Sequence, residues 1–259
     1  MNLVDTHVHV SNSDKKTNRV DRDLLLRRME KYGIDKSIVF CDVDDTDKDN
    51  VSDNNRFVLS ECKKSNNRLI PYYYFIPAYN HCIIDLKNEK SWRGVKLHPN
   101  TSAFFGYGCV YDLAEYLNKE KKPVIIHSDI TPGMFGELLN YVRNLDCNIG
   151  ICHAFHMDYA SIKEVAEMKN VYLEISPWIY MNRFPDLFLA PKERRPKWFV
   201  ENDPIVNLLR LFDEMKGRLI WGSDLSDEHP MSFGMECRLM YSIPIEVCKI
   251  MVTNSYAFI

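Results

Sequence analysis

The feature that most limits how this chain can fold is an alternation. Short β-branched runs recur along its 259 residues, and each is followed by a stretch with apolar residues at helical spacing. The runs are Leu3–Val10, Ser37–Cys41, Leu69–Ile76, Gly94–His98, Pro123–His127, Ile149–His153, Val171–Ser176 and Arg218–Asp224. The intervening helical stretches are Asp21–Tyr32, Asn54–Ser65, Tyr111–Lys121, Pro132–Asn144, Tyr159–Met168, Pro204–Lys216 and Pro244–Met251, with Gly33 stopping the first. Tyr79–Lys90 is the weakest stretch and reads as a short or broken helix. Strand-then-helix repeated eight times predicts a closed parallel barrel, an α/β (β/α)8 (TIM) barrel, somewhat distorted. The length agrees, since such barrels run to about 250 residues. A doubly wound open sheet is the competing arrangement, but no Gly-x-Gly-x-x-Gly turn follows any run, so a dinucleotide site has no support. No linker or low-complexity stretch divides the chain, so one domain over 1–259 is expected.

Polar residues then stand out against this frame. His7, His9, Lys96, His127, His153 and Asp224 each fall at or near the carboxyl end of a predicted strand. Strands of a parallel sheet are buried on both faces and should be almost wholly apolar. Burying uncompensated imidazole, ammonium or carboxylate there costs several kcal/mol each, roughly. In a barrel those strand ends converge on one mouth, where active sites sit. Strand alternation puts His7 and His9 on one face, with Val8 and Val10 on the other. Nitrogen and carboxylate donors around a divalent ion would offset the burial cost. Zinc suits such a set, with manganese, iron and cobalt able to occupy similar sites. Taken singly, any of these histidines is more often a hydrogen-bonded core or surface residue than a ligand.

Composition narrows the partners. A net charge of −3 gives no basic field to hold a nucleic-acid backbone, and no apolar run approaches the roughly 20 residues of a spanning helix. The N-terminus lacks a basic segment followed by an apolar one, and the eight cysteines are scattered without a C-x-x-C pair. A cytoplasmic protein with buried, reduced thiols is therefore expected.

The ordered motifs Asp5-Thr6-His7-Val8-His9, Gly94-Val95-Lys96-Leu97-His98-Pro99, Val124-Ile125-Ile126-His127, Cys152-His153 and Trp221-Gly222-Ser223-Asp224 resemble those of the amidohydrolase superfamily. The closing Asn254-Ser255-Tyr256-Ala257-Phe258 is similar to that group's usual ending. The branch it looks most like is the amidohydrolase-related one (amidohydrolase 2), which includes hydrolases, lactonases and nonoxidative decarboxylases. The resemblance implies His7, His9, His127 and Asp224 as metal ligands, with Asp224 also the general base. It implies His153 as a ligand of a second metal or as a catalytic acid that holds water or substrate. Lys96 matches the position that some members carboxylate to bridge two metals. One ion is favoured over two, since a single ion can activate water. The function so implied is a metal-dependent hydrolase that activates water against a small amide, ester or lactone. A decarboxylase on the same scaffold, or a metal-binding barrel without catalysis, are the alternatives.

Other residues carry two readings each. Lys96 could pair with Asp224 or Asp129, or bind a substrate carboxylate. His98, two residues beyond it, could touch substrate or belong to the loop. Asp5 could orient His7 or His9, although a structural role is expected. Cys152 should point away from the cavity by alternation, so a nucleophilic thiol is not expected. Tyr72, Tyr73 and Tyr74 read as barrel packing, one of them able to line the site. His156 could line the mouth, while His81 and His229 read as ordinary. The long stretch Trp178–Val200 mixes aromatic residues with Arg183, Arg194, Arg195 and lysines. It reads either as a lid whose arginine, Arg183 first, meets an anionic small-molecule substrate, or as a solvated loop or contact in a homo-oligomer.

Overall fold

In the computed structural model the described residues are 2–10, 21–41, 51–99, 104–106, 108–128, 132–225 and 233–259. Asp129 and His229 lie outside them. Eight parallel strands form one sheet in the order β1 to β8: Leu3–Val10, Ile34–Cys41, Leu69–Phe75, Gly94–Leu97, Val124–Ile126, Ile149–Ile151, Val171–Ile175 and Leu219–Trp221. The sheet closes on itself. His9 N donates to Leu225 O at 2.8 Å, and Thr6 Oγ1 donates to Trp221 O at 2.9 Å. The architecture is the (β/α)8 barrel that the alternation predicts.

The helices are α1 (Arg22–Tyr32), α2 (Val51–Lys63), α3 (Asn80–Asn88), α4 (Gly108–Glu120), α5 (Pro132–Val142), α6 (Tyr159–Val165), α7 (Trp178–Arg183), α8 (Pro185–Phe188), α9 (Pro204–Glu214), α10 (Phe233–Ser242) and α11 (Ile245–Tyr256). Their limits follow from local chemistry. Asp21 caps α1 by accepting from Leu24 N, and Gly33 ends it in a left-handed conformation with φ 66°. Asp158 and Asp203 cap α6 and α9 in the same way, and Pro204 begins α9, where its missing N–H costs nothing. The weak stretch after β3 forms the regular helix α3, because Cys82 and Leu86 sit four apart and both bury. Helix α10 had no counterpart in the sequence reading. Phe233, Cys237 and Met240 give it a helical spacing of buried residues.

The base of the barrel is plugged from the C-terminus. Tyr72 Oη donates to Phe258 O at 2.6 Å, and Phe258 is fully buried. Gly94 makes room for Tyr72, since a Cβ there would stand 2.3 Å from the phenol ring. Tyr72 and Tyr73 are therefore packing residues. The eight cysteines are all buried and form no disulfide. Among the described residues no helix is long and apolar enough to cross a membrane.

Candidate active site

β1 delivers His7 and His9 to the mouth on one strand face. Asp5 fixes the backbone there. Its Oδ1 accepts from His7 N at 3.1 Å and from Ser223 N at 2.9 Å, stitching β1 to the turn after β8. Asp5 thus holds main chain and touches neither imidazole ring, which assigns it the structural role. Burial pushes its carboxyl up to about 7.

The ring partner of His7 is a residue the sequence reading passed over. Glu174, fully buried on β7, lies with Oε2 at 2.9 Å from His7 Nδ1. A carboxylate there accepts a hydrogen bond from Nδ1–H, which keeps the proton on Nδ1 and leaves the lone pair on Nε2. That nitrogen faces the cavity, 3.2 Å from His9 Nε2 and 3.1 Å from Asp224 Oδ1. His9 Nε2 is 3.7 Å from the same Asp224 oxygen. Asp224 stands past the end of β8 at φ 53°, a left-handed conformation that aspartate tolerates and that accompanies the return of its carboxylate toward β1. Gly222 is required by the same closeness. A Cβ at that position would lie 2.4 Å from Glu174 Oε1 and 2.5 Å from His7 Cβ.

The other strand-end residues form a second cluster beside the first. His127 stacks on His98, ring centroids 3.9 Å apart, and His127 Nδ1 meets His153 Nε2 at 2.9 Å. The His153 ring centroid lies 5.6 Å from that of His7. His153 Nδ1 faces the Ser176 carbonyl at 2.5 Å, and a carbonyl only accepts, so Nδ1 carries the proton. A neutral His153 then accepts at Nε2, His127 donates from Nδ1, and the His127 lone pair is left on Nε2. Burial depresses His7, His127 and His153, and brings His98 down to about 3. Burial alone would raise Asp224, but the fields of His7, His153, His9 and Lys96 outweigh it and hold that carboxyl below the usual range.

His153 arrives by an unusual backbone path. β6 ends at Ile151, and five consecutive residues from His153 to Met157 have φ between 45° and 62° without a glycine among them. Each such residue costs on the order of 1 kcal/mol. This left-handed turn aims His153 and His156 the same way, with ring centroids 5.3 Å apart. His156 then spans the Ser128 carbonyl at 2.5 Å and the Phe188 carbonyl at 2.7 Å, joining the β5 end to α8.

The early end of β6 also corrects the expectation for Cys152. It continues the inward register of Gly150, so its thiol points into the barrel and accepts from Lys96 Nζ at 3.2 Å. Burial pushes that thiol well up, which agrees with its not being a nucleophile. Lys96 is wholly buried. Its Nζ also lies 3.3 Å from His7 Nε2 and 4.8 Å above the Phe40 ring, and no carboxylate of the described residues comes within ion-pair distance of it. Of the alternatives for Lys96, an ion pair with Asp224 is not formed, and Asp129 lies outside the described residues. Tyr74 lies beside the cluster, stacked on His98 at 6.4 Å.

The stretch after β7 is anchored. Trp178 Nε1 donates to Pro204 O, Asn207 to Asn182, and Ile179 N to Glu236 Oε1. Arg194 pairs with buried Asp158 at 2.7 Å, and Arg195 is spent on Ala190 O, Pro185 O and Asp186. Arg183 differs. It is exposed, its guanidinium 5.6 Å from the Phe184 ring, and no acidic group of the described residues pairs with it.

No family sequence model matches the chain, and no curated protein matches it. Solved structures do. A protein from Acinetobacter baumannii assigned as a 2-pyrone-4,6-dicarboxylic acid hydrolase, with citric acid bound, is 14% identical at a TM-score of 0.67, covering 99% of this chain and 98% of its own. The 5-carboxyvanillate decarboxylase of Novosphingobium aromaticivorans, with manganese and a nitrobenzoic acid bound, is 13% identical at 0.67, covering 99% and 96%. An amidohydrolase 2 from Bifidobacterium longum subsp. infantis is 13% identical at 0.66, covering 100% and 98%. At such identities the likeness is one of fold, carried over the full length of the chain, and it is the fold of the amidohydrolase 2 proteins that the motif order resembles.

Proposed function

We propose that this chain is a metal-dependent hydrolase that delivers water to the carbonyl of a small amide, ester or lactone. The observation that carries the reading is the convergence of His7 Nε2, His9 Nε2 and Asp224 Oδ1, separated by 3.1 to 3.7 Å at the barrel mouth. These residues fit a divalent ion. Donors about 2.1 Å from one metal stand roughly 3.0–3.4 Å from each other. Those three donors also form one cluster within 4.8 Å of one another. His127 is not in that cluster. It remains the further nitrogen donor of the proposal because its lone pair is left on Nε2. One ion is the reading, zinc first, with manganese, iron or cobalt as the other candidates.

A bound divalent ion supplies Lewis acidity, making water nucleophilic near neutral pH and polarising a carbonyl. The chain's own groups do the rest. Glu174 holds His7 in the tautomer whose lone pair faces the cavity. Asp224, kept ionised, takes a proton from the attacking water on a carboxylate oxygen and returns it to the leaving group. His153, whose Nδ1–H donates to Ser176 O, holds His127 through Nε2 rather than acting as an acid. His98 walls the cavity through its stack on His127 and is the candidate contact to substrate. Lys96, buried and with no acidic partner among the described residues, is where an anionic group of the substrate would be neutralised. Arg183 is the candidate anion contact from the α7 segment.

The test is metal loading followed by turnover in 18O-water. The reading expects about one ion per chain and 18O in the product. Protein that binds no Zn, Mn or Co overturns it. Carbon dioxide release without 18O incorporation replaces it with the decarboxylase reading, which the manganese-bound structural neighbour keeps in view.

A further inference from the structure

We infer that Glu236, on α10, is a positioning residue for the site: it fixes the corner between β7 and α7, from which the main chain holds His153. Its effect on turnover rests on the hydrolase reading, while its effect on His153 does not.

The corner needs a partner from outside. The first N–H groups of a helix have no acceptor within it, and a capping side chain or water usually serves them. α7 starts after Pro177, which has no polar side chain and makes no side-chain cap bond. Pro177 and Trp178 are buried, which leaves little room for water at the helix start. Glu236 fills the role from another helix. Its Oε1 accepts from Ile179 N at 2.8 Å, and its carboxyl also feels the N–H groups of Trp178 and Tyr180. Glu236 is the one charged residue among the buried residues of α10, which are otherwise Phe233, Cys237, Leu239 and Met240. Burying a carboxyl in such a stripe is costly, and packing alone would be served better by an apolar side chain.

What the corner carries is the site. Ser176, fully buried, comes just before Pro177. Its carbonyl accepts from His153 Nδ1 at 2.5 Å, and its Oγ lies 3.4 Å from His7 Nδ1. Ser176 is thus the junction of the two histidine clusters. Arg183 is at the other end of the same short helix. Pro177, whose ring fixes its φ, stiffens the link between Ser176 and Ile179. Trp178 and Asn182 tie α7 to α9 on one side, and Glu236 ties it to α10 on the other. A shift of the first turn of α7 is passed to the Ser176 carbonyl and from there to His153. Displacements of about 1 Å among groups that hold a reacting centre can cost on the order of 10²-fold in rate. Glu236 acts through Ser176 and touches neither substrate nor metal.

The test is imidazole 15N–1H NMR of the whole chain with its histidines labelled, with and without added zinc, on the parent, Glu236→Gln and Glu236→Leu. Gln keeps an acceptor of the same reach, and Leu removes it. Phe258→Ala is the control for stability lost at the barrel floor. The expected result is a His153 Nδ1–H signal, assigned by its loss in His153→Gln, that is shifted downfield by its bond to Ser176 O. It should be unchanged in Glu236→Gln and Phe258→Ala, and shifted or broadened in Glu236→Leu. In turnover, kcat should fall about ten-fold or more in Glu236→Leu and stay within about two-fold of the parent in Glu236→Gln. Should Glu236→Leu fail to fold, amide exchange in the parent decides: an Ile179 N–H protected like those of β7 is expected, and free exchange there overturns the proposal. A His153 signal that Glu236→Leu leaves in place overturns it as well. So does an equal change in Phe258→Ala, or Glu236→Gln impaired as much as Glu236→Leu. A parent without turnover counts against the hydrolase reading alone, and the His153 signal then decides this one.

Discussion

At the scale of single residues the account turns on His7, which is held at both ends of its ring. Glu174 fixes one nitrogen and leaves the other to face His9 and Asp224. Glu174→Gln should therefore lower metal affinity by about 10–100-fold while leaving the fold intact, measured by competition with a chromophoric chelator. Affinity equal to the parent would show that Glu174 is only a buried packing residue. Asp224→Asn removes the proton acceptor, and kcat should fall by about 10²–10⁴. Most of this site was legible. His7, His9 and Asp224 could be found because charge at the end of an apolar strand has to be compensated. The same rule applied to Val171-Tyr172-Leu173-Glu174-Ile175 would have found Glu174, whose carboxylate sits amid apolar neighbours with no exposed face. Gly222 was not legible as a requirement, because the clash that excludes a side chain comes from Glu174 and His7, distant in sequence.

Among the elements, strand ends were the least readable. β6 and β8 finish at Ile151 and Trp221, earlier than the β-branched runs suggest, and left-handed backbone then carries His153 and Asp224 into place. Alternation read from His153 alone put Cys152 on the outer face. Alternation read from the strand itself, with Gly150 and Cys152 in step, puts it inside. The α7 segment has its own titratable anchor. Glu236 on α10 accepts from Ile179 N, and burial pushes its carboxyl up from 4.5 to about 8. The neutral form is thus favoured in the fold. That stabilisation is complete below pH 4.5 and is lost as the pH rises through 8. Glu236→Gln should gain stability relative to the parent by about 1 kcal/mol or more between pH 5 and pH 9, read from denaturant midpoints. A difference that does not change with pH would show that Glu236 is ionised throughout. Arg194 and Arg195 are spent on Asp158, Asp186 and main-chain carbonyls, whereas Arg183 is exposed and has no acidic partner among the described residues, so it is the arginine of the three that the proposal assigns to substrate. Arg183→Ala should raise KM several-fold with kcat little changed. An unchanged KM would remove the lid role.

The molecule as a whole was the most legible level, because eight repeats of one local pattern leave few closed arrangements. What the pattern could not show is how the barrel floor is sealed. Phe258 and Tyr72 are 186 positions apart in sequence, and only the closed sheet brings them together. Phe258→Ala should cost about 3–5 kcal/mol of stability, measured by urea unfolding, with the metal site untouched at low denaturant. A cost under about 1 kcal/mol would mean that the plug is peripheral.

The central claim is that His7, His9 and Asp224 hold one divalent ion in the mouth of this barrel. Metal content after reloading the chelator-treated protein with Zn, measured by mass spectrometry alongside His9→Ala, tests it most directly. The account requires about one ion per parent chain and a loss of about ten-fold or more in affinity for the variant. Equal metal content and affinity in both proteins, or none in either, would contradict it.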